Sequence, residues 1–191
     1  MPKVYEAAII VFPRVEELDF TGVWQVLGTT QHLSKEAYFK LRTVGTIKEP
    51  VRCAHGLTVL LDEPLISLSE YDVIVVPGGP GTSEVMKNEA LLSQVRQAYK
   101  AGKLVCSVCT GAFILAKAGV LKGKKATTYH TKIDELSSFG AVPVRERVVV
   151  QGNIITGAGV SASLDVGLKI VEKLLGAESA TKVAEWIEYR Q

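Results

Sequence analysis

The sequence predicts an open, doubly wound α/β fold, with a mostly parallel sheet covered by helices on both faces. Several short runs of β-branched and other apolar residues lack polar alternation, which indicates strands buried on both faces. Helical patterns of roughly ten to fifteen residues separate these runs, as expected for parallel strands joined by crossover helices. With 47% apolar and 22% charged residues, the 191-residue chain has the composition of one globular domain, to which we assign residues 1–191.

In the first half of the chain, an apolar run over residues 5–12 ends at Pro13, which fixes φ and lacks an N–H. A helical pattern follows Asp19, whose carboxylate can cap the free N–H groups at a helix start. Residues 51–63 predict either an excursion from the sheet or a hairpin, centred on His55-Gly56. The other predicted elements here are strands over residues 37–44 and 71–76 and an amphipathic helix over residues 88–101.

In the second half, a strand over residues 104–108 leads into a helix over residues 110–118, which Gly119 ends. Residues 157–162 read GAGVSA and loosely match a dinucleotide-binding pattern, but too little chain follows for the rest of such a unit. We interpret this stretch as close packing of a helix on a strand. The other predicted elements are a strand over residues 125–128, a helix ending at residues 139–140, a hairpin of strands 148–150 and 153–156, and helices over residues 161–175 and 177–189.

Charge, hydropathy and cysteine content exclude several classes of function. The 22 basic and 20 acidic residues give a net charge of +2 that is spread along the chain, so we expect no nucleic-acid partner. The N-terminal residues lack a signal-peptide pattern, and no apolar run reaches the roughly 18 residues of a membrane span. We therefore expect a cytoplasmic protein without a membrane partner. Three cysteines do not form a disulfide framework, since one must stay unpaired.

The stretch LVCSVCTG contains the strongest candidate for chemistry, Cys109. It stands where a strand gives way to a helix, and the free N–H groups and dipole of a helix start favour a thiolate with a pKa below the ordinary value of about 8.5. The small residues Gly111 and Ala112 let that helix approach the sheet, as in a nucleophile elbow, although Ser107 stands where such a motif has its first glycine. A purely structural role as a small buried side chain stays open.

Two other cysteine chemistries fit the sequence less well. In a thioredoxin-type redox pair the first cysteine begins a helix, whereas Cys106 lies inside a strand. A zinc site needs about four ligands, and Cys53, His32, His55 and His130 are scattered without finger spacing. We therefore expect no metal ion.

Other candidate residues fall at the carboxyl ends of strands, where doubly wound folds gather their sites. Asp19 follows the first strand, and a carboxyl group partly desolvated beside a thiol would have a raised pKa suited to proton transfer. Gly78 and Gly79 either direct backbone N–H groups at an anion or make a plain turn. His130 follows a strand and is either a base or orienting group near Cys109 or a surface histidine.

Four stretches together point to a known family. They are FPRVEELDFTG at residues 12–22, VPGGPG at residues 76–81, SVCTGAFILAKAGVLKGKKATT at residues 107–128 and GNIITGAGVSASLD at residues 152–165. These stretches resemble the ThiJ/PfpI superfamily and, within it, the isonitrile (isocyanide) hydratases. The resemblance implies a flavodoxin-like fold, a single domain similar to class I glutamine amidotransferases, and a homodimer.

The same resemblance implies roles for individual residues. Cys109 is the expected nucleophile, Asp19 its acidic partner and Thr110 the residue beside the nucleophile, while Gly78-Gly79 match the backbone-donor turn that binds substrate. The chain departs from the hydratases after its KATT strand: they read ATTHW, whereas this sequence reads ATTYH, with Tyr129 where the histidine would stand.

Together these residues predict an enzyme that acts on a small molecule without a metal or organic cofactor. We expect Cys109 to attack an organic isocyanide and form a covalent thioimidate, which water converts to an N-substituted formamide. Two alternatives stay open. One is a glyoxalase-like or deglycase-like thiol enzyme of the same superfamily, and the other is a non-catalytic thiol sensor or ligand-binding domain.

Overall fold

The chain folds around a central sheet of mostly parallel strands, as the sequence predicts. A computed structural model describes residues 2–47, 49–65 and 67–190. The strands are β1 (Lys3–Ile10), β2 (Ala37–Gly45), β3 (Val51–Arg52), β4 (Thr58–Val59), β5 (Glu63–Pro64), β6 (Val73–Val76), β7 (Leu104–Ser107), β8 (Lys125–Ala126), β9 (Val142–Pro143), β10 (Val148–Gln151) and β11 (Ile154–Gly157). The α-helices are α1 (Glu17–Leu33), α2 (Thr82–Val85), α3 (Glu89–Lys100), α4 (Gly111–Lys117), α5 (Ala162–Leu175) and α6 (Ala177–Trp186), with 3₁₀-helices at Leu68–Glu70 and His130–Phe139.

Within the described residues, the main sheet has seven strands in the order β10-β11-β7-β6-β1-β2-β5. Every neighbouring pair is parallel except β10 and β11, which form the hairpin that the sequence predicts. Around His55 the chain forms the hairpin rather than the excursion, as β3 pairs antiparallel with β4. Because β1, β6, β7 and β11 run in the same direction, the turns that follow these four strands meet at one edge of the sheet.

The inner strands are buried on both faces, which explains their continuous apolar sequences. All four residues of β6 are fully buried, and so are Ala7 and Ile9 of β1. Burial of each valine or isoleucine side chain contributes about 1.5–3 kcal/mol of hydrophobic free energy, so these strands form a rigid base for the turns at their ends. Around them, α1, α5 and α6 pack on one another, while α3 packs on α4 and β7.

The starts of α3 and α1 are capped differently. Asn88 caps α3, because its side chain accepts the N–H of Leu91 at 3.0 Å. The prediction that Asp19 caps α1 is wrong: the helix begins at Glu17, so Asp19 lies in its first turn and its carboxylate bonds elsewhere. None of the helices in the described ranges has the length and hydrophobicity needed to cross a membrane.

The glycine pattern at residues 157–162 serves close packing, as we interpret it from the sequence. A Cβ on Gly157 would lie 2.4 Å from a methyl group of Val166 in α5, so only glycine lets the helix lie this close to β11. Gly159 in the same loop lies against the ring of Tyr129, where a Cβ would approach to 2.6 Å.

Candidate active site

Cys109 sits on a sharp turn directly after β7. Its φ of +54° is left-handed, which strains a residue other than glycine by about 1–3 kcal/mol and is common at functional turns. The turn is held from two sides: the Cys109 N–H donates to the carbonyl of Ala158 at 2.8 Å, and the Thr128 hydroxyl donates to the Cys109 carbonyl at 2.6 Å. The abrupt strand-to-helix turn expected from SVCTG is therefore present.

Two glycines allow the turns after β6 and β7 to touch. A Cβ on Gly78 would lie 2.5 Å from both the amide nitrogen and the hydroxyl oxygen of Thr110. A Cβ on Gly111 would lie 2.1 Å from the carbonyl oxygen of Val76. Real Cβ atoms do not approach backbone so closely, so these positions require glycine for close backbone approach rather than for a special φ.

Asp19 is completely buried and faces this junction from the first turn of α1. Its Oδ2 accepts the N–H of Gly78 at 2.8 Å, while its buried Oδ1 has no hydrogen-bond partner among the described residues. Burial raises the pKa of Asp19 to about 7, and the nearby Glu16 carboxylate pushes it the same way. The Gly78 hydrogen bond and contact with the Cys109 thiol act in the opposite direction on this pKa. Asp19 can therefore exchange protons near neutral pH.

The pKa of the Cys109 thiol is shifted in the opposite direction from the one we expected. Burial, with only 6% of the residue exposed, raises the pKa of Cys109 to about 11, and repulsion from the Asp19 carboxylate adds to the rise. Hydrogen bonds from the backbone N–H groups of Thr110 and Val160 and from the Thr110 hydroxyl lower this pKa, but by less. The expectation of a lowered pKa is wrong because desolvation and the adjacent carboxylate outweigh a helix of only seven residues. At neutral pH the sulfur carries a proton that Asp19 can accept.

Thr110 and Gly79 form a second hydrogen-bonded layer beside the thiol. Gly79 donates its N–H to Thr110 Oγ1 at 3.0 Å, and that oxygen lies 2.9 Å from Thr82 Oγ1. The sequence left open whether Gly78 and Gly79 direct their N–H groups at a ligand anion or make a plain turn; in the structure these N–H groups donate to Asp19 and Thr110. The turn thus positions the candidate catalytic groups, and contact of the two glycines with substrate stays a prediction.

A groove of about 420 Å³ opens beside Thr110 and Gly79. Its walls carry the apolar side chains of Met86, Phe113 and Phe139, and the two phenyl rings pack edge to face with centroids 5.9 Å apart. Cys109 does not line the groove, but its neighbour Thr110 does. An apolar substituent in the groove would therefore end next to the elbow.

The histidines and the other cysteines lie apart from this cluster. His130 is exposed and packs against Tyr129, with ring centroids 4.5 Å apart and the ring planes tilted by 58°, and neither contributes one of the hydrogen bonds described for Asp19 or Cys109. His32 is exposed near the end of α1. Cys106 is fully buried in β7, and burial raises the pKa of its thiol, so it serves as a small buried side chain of the sheet.

One cluster of potential metal ligands was missed by the sequence reasoning. Donor atoms of Glu16, Glu17 and His55 lie within 4.8 Å of one another. The Glu17 carboxylate, however, already accepts the backbone N–H of His55 at 2.7 Å and lies 2.8 Å from its Nδ1. This pairing raises the pKa of His55 and accounts for the cluster as an ion pair.

Sequence reasoning also missed Val160, whose N–H reaches the sulfur. Val160 follows β11, and pairing of β11 with β7 brings its loop to the elbow. The order of elements along the chain does not reveal this neighbour relation. The available signal was the GAG sequence at the end of a buried strand, which we interpreted only as packing.

A doubly wound α/β sheet with a cysteine on a left-handed elbow, faced by a buried carboxyl group from the first turn of the helix after strand one, defines a class of flavodoxin-like thiol proteins. The chain belongs to the DJ-1/PfpI family, whose model matches residues 5–173. This confirms the ThiJ/PfpI resemblance of the four sequence stretches.

Individual relatives span most of the chain. It is 35% identical over 184 residues to an isonitrile hydratase of Pseudomonas putida, covering 96% of this chain and 78% of that protein. It is 29% identical over 141 residues to a glutathione-independent glyoxalase of Caenorhabditis elegans, covering 73% and 75%. A crystal structure of a ThiJ/PfpI family protein from Pseudomonas syringae superposes with a TM-score of 0.88 at 31% identity, covering 100% of this chain and 77% of that one.

Proposed function

We propose that this protein hydrates organic isocyanides to N-substituted formamides, with Cys109 as the nucleophile. The observation that carries the proposal is the pairing of a buried carboxyl group, whose pKa is raised to about 7, with a protonated thiol on a strained elbow. The 35% identity to an isonitrile hydratase supports the same assignment.

In the first half-reaction Asp19 accepts the thiol proton while the Cys109 sulfur attacks the terminal carbon of R–N≡C. The proton then passes to that carbon, which gives the thioimidate R–N=CH–S–Cys109. Asp19 suits this role because a carboxyl group with a pKa near the working pH is ionised often enough to accept a proton and acidic enough to pass it on. The transfer accompanies the attack on carbon, so no free thiolate has to form. No charge is left on the buried sulfur.

In the second half-reaction Asp19 deprotonates a water molecule that attacks the thioimidate carbon. Asp19 passes this proton to the nitrogen, which gives the tetrahedral intermediate R–NH–CH(OH)–S–Cys109. As the carbon–sulfur bond breaks and the C=O bond forms, the remaining hydroxyl proton goes to the sulfur through Asp19, and R–NH–CHO leaves. The N–H groups of Thr110 and Val160 hydrogen-bond to the sulfur and stabilise the negative charge that develops as it departs. One water molecule is consumed, and neither a metal nor an organic cofactor takes part in this scheme.

Thr110 joins the reacting sulfur to the groove where the substituent of the substrate would lie. Its hydroxyl is fixed by Gly79 and Thr82 and belongs to the groove wall. The apolar walls formed by Met86, Phe113 and Phe139 suit a small hydrocarbon substituent. In this arrangement Gly79 contacts substrate as part of the groove rather than through its N–H.

The decisive test measures N-cyclohexylformamide release from cyclohexyl isocyanide, together with the intact mass of the protein during turnover. The proposal expects product formation and a mass increase equal to one isocyanide, both lost in Cys109→Ala. Cys53→Ala is the matched control, because Cys53 is also a buried free thiol but lies beside Glu17 rather than Asp19. Absence of formamide from the wild-type protein would refute the proposal.

A second candidate is glyoxalase-like chemistry on 2-oxoaldehydes, which the identity to a glutathione-independent glyoxalase favours. It would also use Cys109, so cysteine variants cannot separate the two reactions. Lactate formation from methylglyoxal, assayed beside formamide release, distinguishes them. Lactate without formamide would assign the second function.

The homodimer implied by the resemblance also stays a proposal. Leu18 and Trp24 are large apolar side chains of α1 that are 40% and 37% exposed, and a second copy of the chain could cover them. Light scattering after gel filtration measures the mass directly.

A further inference from the structure

Val160 is held in a conformation that its side chain disfavours. It is β-branched, yet its φ is +32°, in the left-handed region. Such a conformation persists only where the surrounding structure fixes it. Its loop, residues 158–161, connects β11 to α5, and the Val160 N–H hydrogen-bonds to the Cys109 sulfur.

Arg147 contacts this loop at both ends. Its carbonyl accepts the N–H of Ala158 at 2.9 Å, and the Ala158 carbonyl in turn accepts the N–H of Cys109 at 2.8 Å. At the other end, Arg147 Nη2 donates to the hydroxyl of Ser161 at 3.3 Å. One residue thus spans the short segment that contains Val160.

The guanidinium is itself fixed by the start of α5 and by the C-terminal segment. Arg147 Nε donates to Asp165 Oδ2 at 2.7 Å, and Asp165 is only 7% exposed. The Tyr189 hydroxyl donates to both Asp165 oxygens, at 3.1 and 3.0 Å. A charged hydrogen bond to a largely buried carboxylate restricts the arginine far more than a solvent-exposed ion pair would.

We propose that Arg147 is a positioning residue for the thiol: by holding residues 158–161 at both ends, it keeps the Val160 N–H directed at the Cys109 sulfur. Within the described residues, Arg147 makes no hydrogen bond to Cys109 or Asp19. It also lies outside the four stretches that carry the family resemblance. The role concerns any chemistry of Cys109, so it does not rest on the isocyanide as substrate.

A merely structural role for Arg147 would lower stability without changing how Cys109 ionises. The positioning role instead predicts a change in the thiol itself, since loss of the Val160 hydrogen bond destabilises the thiolate. Asp19 is the titratable side chain that acts on Cys109, and Asp165 and Tyr189 are those that bond Arg147. The arginine variants compared below keep all three groups, and Tyr189→Phe removes only the Tyr189 hydroxyl.

The experiment measures the rate of Cys109 alkylation by iodoacetamide against pH, resolved by peptide mass, in folded protein. Arg147→Ala should move the midpoint upward by about 0.5–1 pH unit, which slows alkylation roughly three- to tenfold at a fixed pH below the midpoint. Arg147→Lys keeps the positive charge and one donor and should move it less.

Two controls separate positioning from charge and from stability. Arg145→Ala removes the same charge two residues away, where the side chain is exposed and pairs with Asp134 at 2.8 Å, and should leave the midpoint unchanged. Tyr189→Phe changes no charge but loosens Asp165, and should move the midpoint upward by a smaller amount. If Arg147→Ala does not fold, Tyr189→Phe alone tests the proposal. Midpoints in Arg147→Ala and Tyr189→Phe equal to that of Arg145→Ala would overturn the proposal.

Discussion

Asp19 accepts the backbone N–H of Gly78 at 2.8 Å across 59 residues of sequence. This bond ties the first turn of α1, the helix that follows β1, to the turn after β6, and Gly78 in turn lies against Thr110 on the turn after β7. Three strand ends are thereby locked around one carboxyl group. The bond leaves Oδ1 of Asp19 buried and without a hydrogen-bond partner among the described residues. This state is costly for an ionised carboxylate, and protonation of the carboxyl group relieves the cost.

We expect the hydration activity to follow the ionisation of Asp19. If its carboxylate accepts the thiol proton, kcat/KM rises with pH and levels off above a midpoint near 7, where the pKa of Asp19 lies. Asp19→Asn keeps an acceptor for Gly78 but removes the base, and should lower kcat by about 100-fold or more. Asp19→Glu serves as the control that keeps a carboxylate. Unchanged turnover and an unchanged pH profile in Asp19→Asn would reduce this residue to a structural role.

Stability should also depend on pH through Asp19. Its folded pKa of about 7 exceeds the ordinary aspartate value of 3.8, so between these pH values the folded state binds more protons than the unfolded state. The free energy of unfolding therefore falls as pH rises from about 4 to 7, and the penalty is fully present above pH 7. Asp19→Asn removes that penalty and should stabilise the protein at pH 8 by on the order of 2 kcal/mol, with little effect at pH 4. Urea unfolding at both pH values measures this, and equal effects at the two would contradict it.

The sequence predicts the sheet and the elbow well because both depend on local patterns. Continuous apolar runs indicate β6 and β7, and the small residues around Cys109 indicate a sharp turn. It fails where the outcome depends on distant packing. Whether Asp19 caps its helix or bonds Gly78 is decided by a partner 59 residues away. The direction of the Cys109 pKa depends on how deeply the thiol is buried, which no motif specifies.

Gly78→Ala should destabilise the protein and disturb Thr110. The added Cβ would lie 2.5 Å from the Thr110 nitrogen and 2.9 Å from that of Gly111, both of which are backbone atoms that cannot simply rotate away. We expect a loss of about 1–3 kcal/mol in the free energy of unfolding. Gly28→Ala is the matched control, since its Cβ would meet only a Leu41 methyl at 3.6 Å and alanine favours the helix. A Gly78→Ala protein as stable as the Gly28→Ala protein would refute the close approach.

Asp19→Asn should make the Cys109 thiol more reactive while it makes the enzyme slower. The Asp19 carboxylate raises the pKa of Cys109, so its removal lowers that pKa and increases the thiolate fraction at pH 8. We expect iodoacetamide to alkylate Cys109 about three- to tenfold faster in Asp19→Asn than in the wild type. Cys53 is an internal control in the same digest, because its pKa is raised by burial and by Glu17, neither of which the substitution changes. Opposite changes in alkylation and turnover would distinguish loss of the proton acceptor from loss of the thiol, whereas slower alkylation of Cys109 would show that Asp19 does not oppose its ionisation.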